Sequence, residues 1–192
     1  TGGMSGLAYS ADAYFQFGKL LKDAKKTPNE YDSISAWLFG VKVGYTLDAV
    51  PMKPSITAYG DFVSGGGDDG SKGSFNTLYA TNHTFYGDMD FFLAFPAHTG
   101  NLGLMDIGGQ IAIVPMEKTK LMVDFHHFRK MADKMGVTGS SFGNELDVKF
   151  VGTIMPRVNI EVLYGMFMLG DLFVAGAGAP GTDVPAMGFD KQ

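Results

Sequence analysis

The sequence predicts an all-β fold, an antiparallel transmembrane β-barrel, of which these residues are expected to form an incomplete portion. Three observations predict it. Apolar residues recur at a period of two in about seven segments, so each segment has one apolar and one mixed face. The connections between segments alternate between short turns and long loops. The composition, with 27 Gly, 16 Phe, 12 Met and 8 Tyr in 192 residues, suits strands with close backbone approaches.

The first segment, 5–18, places Leu7, Tyr9, Ala11, Ala13, Phe15 and Phe17 on one face, and Asp12, Tyr14 and Gln16 on the other. Residues 19–32 (KLLKDAKKTPNEYD) are polar and contain Thr27-Pro28-Asn29, the chemistry of a solvated loop. The stretch 33–66 then reads as a hairpin. Trp37, Phe39, Val41, Val43 and Tyr45 line one face and Leu38, Gly40 and Lys42 the other; after a turn at 48–52, Ile56, Ala58, Gly60 and Phe62 alternate with Thr57, Tyr59, Asp61 and Val63.

A long connection, 64–105, follows, opening GGGDDGSKGS and rich in aromatic residues. Connections of this length are usually functional rather than mere linkage, and the aromatic content predicts a packed loop. A hairpin of 106–114 and 119–128 turns at 115–118, with Gln110, Asp124 and His126 on the mixed face. A polar loop, 129–143, leads to the last hairpin, 144–154 and 157–169, turning at Met155-Pro156. Its mixed face carries Glu145, Asp147, Lys149, Asn159 and Glu161. The segment 170–192 is expected to be a Gly/Pro/Ala-rich terminal loop, and the whole of 1–192 a single barrel domain.

Alternation alone leaves two assignments open. In a soluble lipocalin-like barrel or sandwich the apolar face is the core, whereas in a membrane barrel it meets lipid and the mixed face lines a lumen. Sorting of loop length by end favours the membrane. So does length: Trp37 to Tyr45 spans about 26 Å of strand at roughly 3.3 Å per residue, near the apolar band of such barrels after tilting. Trp37 and Tyr45 are then expected at the two membrane interfaces. The bacterial outer membrane is the compartment this implies, with outer-membrane lipid as a partner.

Composition excludes other classes. With 15 Lys+Arg against 20 Asp+Glu the net charge is −5, against a nucleic-acid binder. There is no cysteine, hence no disulfide or thiolate metal site. No run of about 18 apolar residues offers a membrane-spanning helix. Nucleophile triads, phosphate loops and metal-binding helix motifs are missing from the pattern, so no enzyme, cofactor or metal is expected. His126 and His127 are neighbours on a strand and point to opposite faces, so they cannot chelate one ion together; His126 with Asp124 reads as a hydrogen-bonded pair. Asp68 and Asp69 lack the ligand spacing of a calcium loop and read as a flexible solvated loop.

The segments ISAWLFGVKVGYTLDAVPMKPSITAYGDFVSGGGDDG, TNHTFYGDMDFF and NELDVKFVGTIMPRVNIEVLYGMFMLGDLF resemble the closing portion of the alginate-export family of outer-membrane barrels. The likeness covers most of 32–173, and its most specific piece is TNHTFYGDMD, 81–90. It implies a porin-like barrel with a polar lumen that passes small solutes or a polysaccharide. In that frame the lumen is lined by Asp12, Gln16, Lys42, Asp61, Gln110, Asp124, His126, Glu145, Asp147, Lys149, Asn159 and Glu161. The loop carrying Asn82, His83, Tyr86, Asp88 and Asp90 is expected to fold in as a constriction. Lys42 and Lys149 are the two strand cations read on an otherwise acidic face, which predicts cation preference. A barrel sheathing a periplasmic partner would share this pattern but would not conduct.

Overall fold

The structure, a computed structural model, describes residues 2–4, 6–21, 30–80, 82–83 and 85–174. Eight strands form one antiparallel sheet in strict sequence order. The seven long strands of the sequence reading are all present: β2 (Leu7–Leu21), β3 (Tyr31–Thr46), β4 (Ser55–Val63), β5 (Leu104–Ile113), β6 (Thr119–Arg129), β7 (Ser141–Met155) and β8 (Val158–Leu169). A short β1 (Gly2–Met4) precedes them, and a single helical turn, α1 (Asp171–Val174), follows. No helix among the described residues is long and apolar enough to cross a membrane.

Each strand pairs with its sequence neighbour, because a meander needs only local connections. The joins 47–54, 114–118 and 156–157 lie at one end of the sheet; 64–103 and 130–140 lie at the other. Short and long connections are thus sorted by end, as in outer-membrane barrels. Several boundaries differ from the sequence reading. β2 continues to Leu21 and β3 starts at Tyr31, so Lys19 to Leu21 and Tyr31 to Asp32 are strand rather than loop; unbroken pairing from Leu7↔Tyr45 to Leu21↔Tyr31 carries the ladder through polar positions. β5 begins at Leu104, which trims the long loop to 64–103, and β7 begins at Ser141. Residues 22–29 and 175–192 lie outside the described residues.

The two faces of the sheet differ in their surroundings. One is bare and presents exposed apolar side chains, among them Phe15, Phe17, Phe39, Ile56, Ile107, Ile111, Phe125, Val162 and Tyr164. The other is covered by loop 64–103. The hydrophobic core lies between that loop and the sheet, toward the long-loop end: Phe75, Tyr86, Phe92, Phe95 and Leu102 of the loop pack with Ala36, Val63, Leu104, Phe128 and Phe142 of the strands. Phe92 stands at its centre, its ring 4.8 Å from that of Phe128 and 5.4 Å from that of Phe142. The loop is therefore held to the sheet by apolar burial, with two 3-10 segments, Gly67–Lys72 and Ala97–Thr99, providing its only helical turns among the described residues. Asp68 accepts the Met135 N–H at 2.8 Å, so the GGGDDG stretch, read from sequence as flexible, is pinned to the 130–140 connection.

Candidate functional site

The covered face is polar over most of its height, and register sets its polar residues in rows across the strands. One row runs Asp12, Gly40, Asp61, Asp106. The next runs Lys42, Tyr59, Gly108, His126, Glu145, and a third runs Gln110, Asp124, Asp147, Gly165. Each row gathers residues that are far apart in the sequence.

A hydrogen-bonded chain joins them. Gln110 Nε2 donates to Asp124 Oδ2 at 2.8 Å, and the Tyr59 hydroxyl donates to Asp124 Oδ1. His126 Nε2 lies 3.0 Å from the Tyr59 oxygen, and His126 Nδ1 lies 2.9 Å from Asp106 Oδ2. The His126 ring is thus held between the Tyr59 hydroxyl on its Nε2 side and the Asp106 carboxyl on its Nδ1 side. Asp124 Oδ1 lies 3.8 Å from Nε2. The pairing of His126 with Asp124 expected from sequence is thus relayed through Tyr59, and the closer carboxylate is Asp106, which the sequence reading missed. Asp106 shares the parity of Gln110, and that signal was available. Lys42 Nζ stands 5.6 Å from the Tyr59 ring centroid, a cation–π distance.

The motif 81–90 forms a compact bend over this face; Thr81 and Thr84 lie outside the described residues. Asn82 is buried and donates to the Phe92 carbonyl at 3.1 Å, and it accepts the Phe85 N–H through its own carbonyl at 2.8 Å. His83 Nδ1 lies 2.7 Å from Asp90 Oδ1, closing the bend. Tyr86 sits edge-on against Phe95, 5.1 Å between centroids. Burial first, and then the nearby Asp61 and Asp106 carboxylates, push its phenol above the ordinary range, so it stays a neutral donor and acceptor.

Three polar contacts fasten the bend to β7. The Met89 N–H donates to Glu145 Oε1 at 2.8 Å, the Asp88 N–H to Asp147 Oδ2 at 3.2 Å, and Lys149 Nζ to Asp88 Oδ1 at 2.5 Å. Gly87 makes the approach feasible: its φ of +87° suits glycine, and a Cβ there would collide with the Glu145 carboxylate. Glu145 and Asp147, expected in an open lumen, are in fact fully buried beneath the loop. Sequence could not show this, since the anchors are 56 to 61 positions apart. On the other flank, Gln16 exchanges two hydrogen bonds with the Asn76 backbone.

Two cavities flank the bend. One, of about 370 Å³, lies over the acidic rows toward β7, and the other, of about 540 Å³, lies toward β2 and is lined by Asp12, Tyr14, Gln16, Phe75 and Asn76. Lys42, Asp61, Phe85 and Tyr86 line both. Glu161 lines the first cavity, and Asn159 accepts a hydrogen bond from Thr153 at 2.8 Å, nearer the short-turn end. Lys120 shares a groove with Glu161 and Asn159 there, so the covered face has a third strand cation beside Lys42 and Lys149, which corrects the count of two. His127 projects oppositely to His126 and bonds Asn144 Oδ1 at 2.7 Å. Among the described residues no group of three or more His, Asp or Glu is placed to hold a metal ion.

A meander whose bare face is apolar, whose other face is charged and buried, and whose connections are sorted by length defines a transmembrane β-barrel wall with an inward-folded loop. The family model for alginate export matches residues 1–187, and the chain belongs to that family. This is an outer-membrane transport family, and it assigns the chain a role in polymer export or as a channel at that membrane. No curated protein and no solved structure matches the chain.

Proposed function

We propose that this chain forms part of the wall of a passive outer-membrane channel, in which solutes pass between the strands and the folded-in loop 64–103. The observation that carries the reading is the pair of cavities whose linings share Lys42 and Asp61 on the wall and Phe85 and Tyr86 on the loop. A path bounded by one charged pair and two aromatic rings is narrow, polar and selective by charge. Asp12, Gln16, Asp61, Gln110, Asp124, His126, Asn159 and Glu161 line it, and Glu145, Asp147 and Lys149 act as the anchors of the constriction. Trp37 and Tyr45, exposed on the bare face, sit at the membrane interfaces.

Small polar or cationic solutes suit this wall best, because carboxylates outnumber ammonium groups on it. A carboxylate polymer would need the constriction to swing away, exposing Glu145 and Asp147 to a like charge. Planar-bilayer recording of the intact protein tests the reading. Stepwise conductance with reversal potentials on the cation side is expected. A heat-modifiable, membrane-inserted protein that conducts nothing would overturn it in favour of a sheath around a periplasmic partner.

A further inference from the structure

Glu145 and Asp147 stand two positions apart on the covered face of β7, and both are buried, at 0% and 1% exposure. Each gives one oxygen to the loop: Glu145 Oε1 accepts the Met89 N–H, and Asp147 Oδ2 accepts the Asp88 N–H. Their other oxygens, Glu145 Oε2 and Asp147 Oδ1, have no donor among the described residues, although the two carboxyls lie within hydrogen-bonding reach of each other. The loop also closes over them. A Cβ on Gly87 would lie 2.6 Å from Glu145 Oε2, and one on Gly165 of β8 would lie 2.8 Å from Asp147 Oδ1 and 2.7 Å from Met89 Cγ. The neighbouring cations are engaged elsewhere: Lys149 Nζ is bonded to Asp88 at 2.5 Å, and the His126 ring, opposite Glu145 in the register, is held between Tyr59 and Asp106. Opposite Asp147 stands another carboxyl, Asp124, and the β8 partners are the uncharged Phe167 and Gly165. Two ionised carboxylates enclosed side by side in this way are strongly unfavourable, whereas one proton between them gives both free oxygens a partner.

We propose that Glu145 and Asp147 share one proton while the loop is docked, and that this proton locks the constriction and is released as pH rises. The lock deepens the channel reading and rests on it only for its effect on current. The proton sits between Glu145 Oε2 and Asp147 Oδ1, which leaves Oε1 and Oδ2 to hold the Met89 and Asp88 amides. When the loop lifts, water reaches both carboxyls, they ionise as exposed carboxylates do, and the proton passes to solvent. The docked state thus carries one proton more than the lifted state. The ratio of lifted to docked loop therefore rises about tenfold per pH unit above about pH 4, until the docked pair itself gives up the proton. The ion pair of Lys149 with Asp88 is a separate fastening that does not involve this proton.

The intact protein is tested in liposomes and planar bilayers across a pH series. Proteolytic cutting within 64–103, corrected with a denatured substrate for the protease's own pH profile, is expected to rise about tenfold per pH unit and then level off, with conductance rising alongside. Glu145→Gln puts a permanent N–H donor where the shared proton lies and keeps an oxygen for the Met89 N–H; Asp147→Asn does the same from the other side. Both variants are expected to stay docked and to lose the pH dependence. Asp88→Asn, which breaks only the pair with Lys149, is expected to raise cutting at every pH and keep the slope. His126→Gln is expected to keep it too, which separates the lock from titration of the imidazole. Heat modifiability reports folding. Should both amide variants fail to fold, infrared spectra of the wild type decide, since the carboxylic-acid carbonyl band must fade in step with cutting. A flat pH response in the wild type would overturn the lock, as would an unchanged slope in both amide variants, a slope abolished by His126→Gln alone, or a carboxylic-acid band that does not follow cutting. A slope in cutting that the amide variants abolish, with no current in any variant, would sustain the lock and sink the channel reading instead.

Discussion

On β7 the two faces of the sheet can be compared residue by residue. Leu146, Val148 and Phe150 alternate with Glu145, Asp147 and Lys149, and it is the carboxylates that are fully buried. Across the sheet Phe17 is 88% exposed while Glu145 is 0%. A water-soluble fold would reverse this order, because burying carboxylates and exposing a field of aromatic rings both cost free energy. The inversion is coherent only if the bare face meets hydrocarbon and the covered face holds its own polar partners. Loop 64–103 supplies some of those partners, so the loop and the lipid divide the two faces between them.

Removing the cover without touching the bare face is the strongest way to break the comparison. Phe92→Ala empties the centre of the loop core and should cost about 3–5 kcal/mol, the usual range for a buried phenylalanine. Urea titration in liposomes measures this, and limited proteolysis should cut within 64–103. Protection of the loop equal to wild type would mean that the polar anchors alone hold it.

Charging the bare face attacks the other side. Val41→Arg, midway between Trp37 and Tyr45, should destabilise by about 2–4 kcal/mol, as an arginine near the bilayer midplane does. Gln110→Arg, on the covered face beside Asp124, should cost less than about 1 kcal/mol because the new cation finds a carboxylate. Equal costs for the two substitutions would show that lipid does not contact the bare face.

The polar anchors come next. Glu145→Ala leaves the Met89 N–H without its acceptor, which should cost about 1–3 kcal/mol. Glu145→Gln keeps an acceptor oxygen and should cost less. If bilayer conductance rises in the alanine variant but not in the glutamine variant, the bond, rather than the charge, holds the constriction.

What the sequence made legible follows from which interactions are local. Alternation revealed every long strand among the described residues and both faces, because strand parity is written in nearest neighbours. Parity also contained Asp106 and Lys120, which share faces with Gln110 and Asp124. Tyr59 was legible as a residue of the mixed face but not as the link between Asp124 and His126, since that depends on register across three strands. The docking of Gly87, Asp88 and Met89 on β7 had no sequence signal at all. Two of its three contacts use backbone N–H groups, which every residue but proline possesses, and the third pairs Asp88 with Lys149 across 61 positions.

The smallest expected effect lies at the long-loop end, just past β8. Asp171 Oδ1 accepts the Ser141 N–H at 2.6 Å and the Ser140 N–H at 2.9 Å, and these donors hold its carboxyl below the usual carboxylate range. A carboxylate whose folded pKa is lowered contributes stability above the unfolded value, about 3.9, and that contribution fades as pH falls through the folded value. Hydrogen exchange at the Ser140 and Ser141 amides should therefore be slow at neutral pH, after correction for intrinsic rates, and lose protection only in strong acid. Asp171→Asn should show the reduced protection at every pH. The residue is exposed and outside both the loop core and the polar rows, so neither conductance nor the global urea midpoint should move. A conductance change in this variant would mean that the 130–140 connection, which it helps to fix, also contributes to the path.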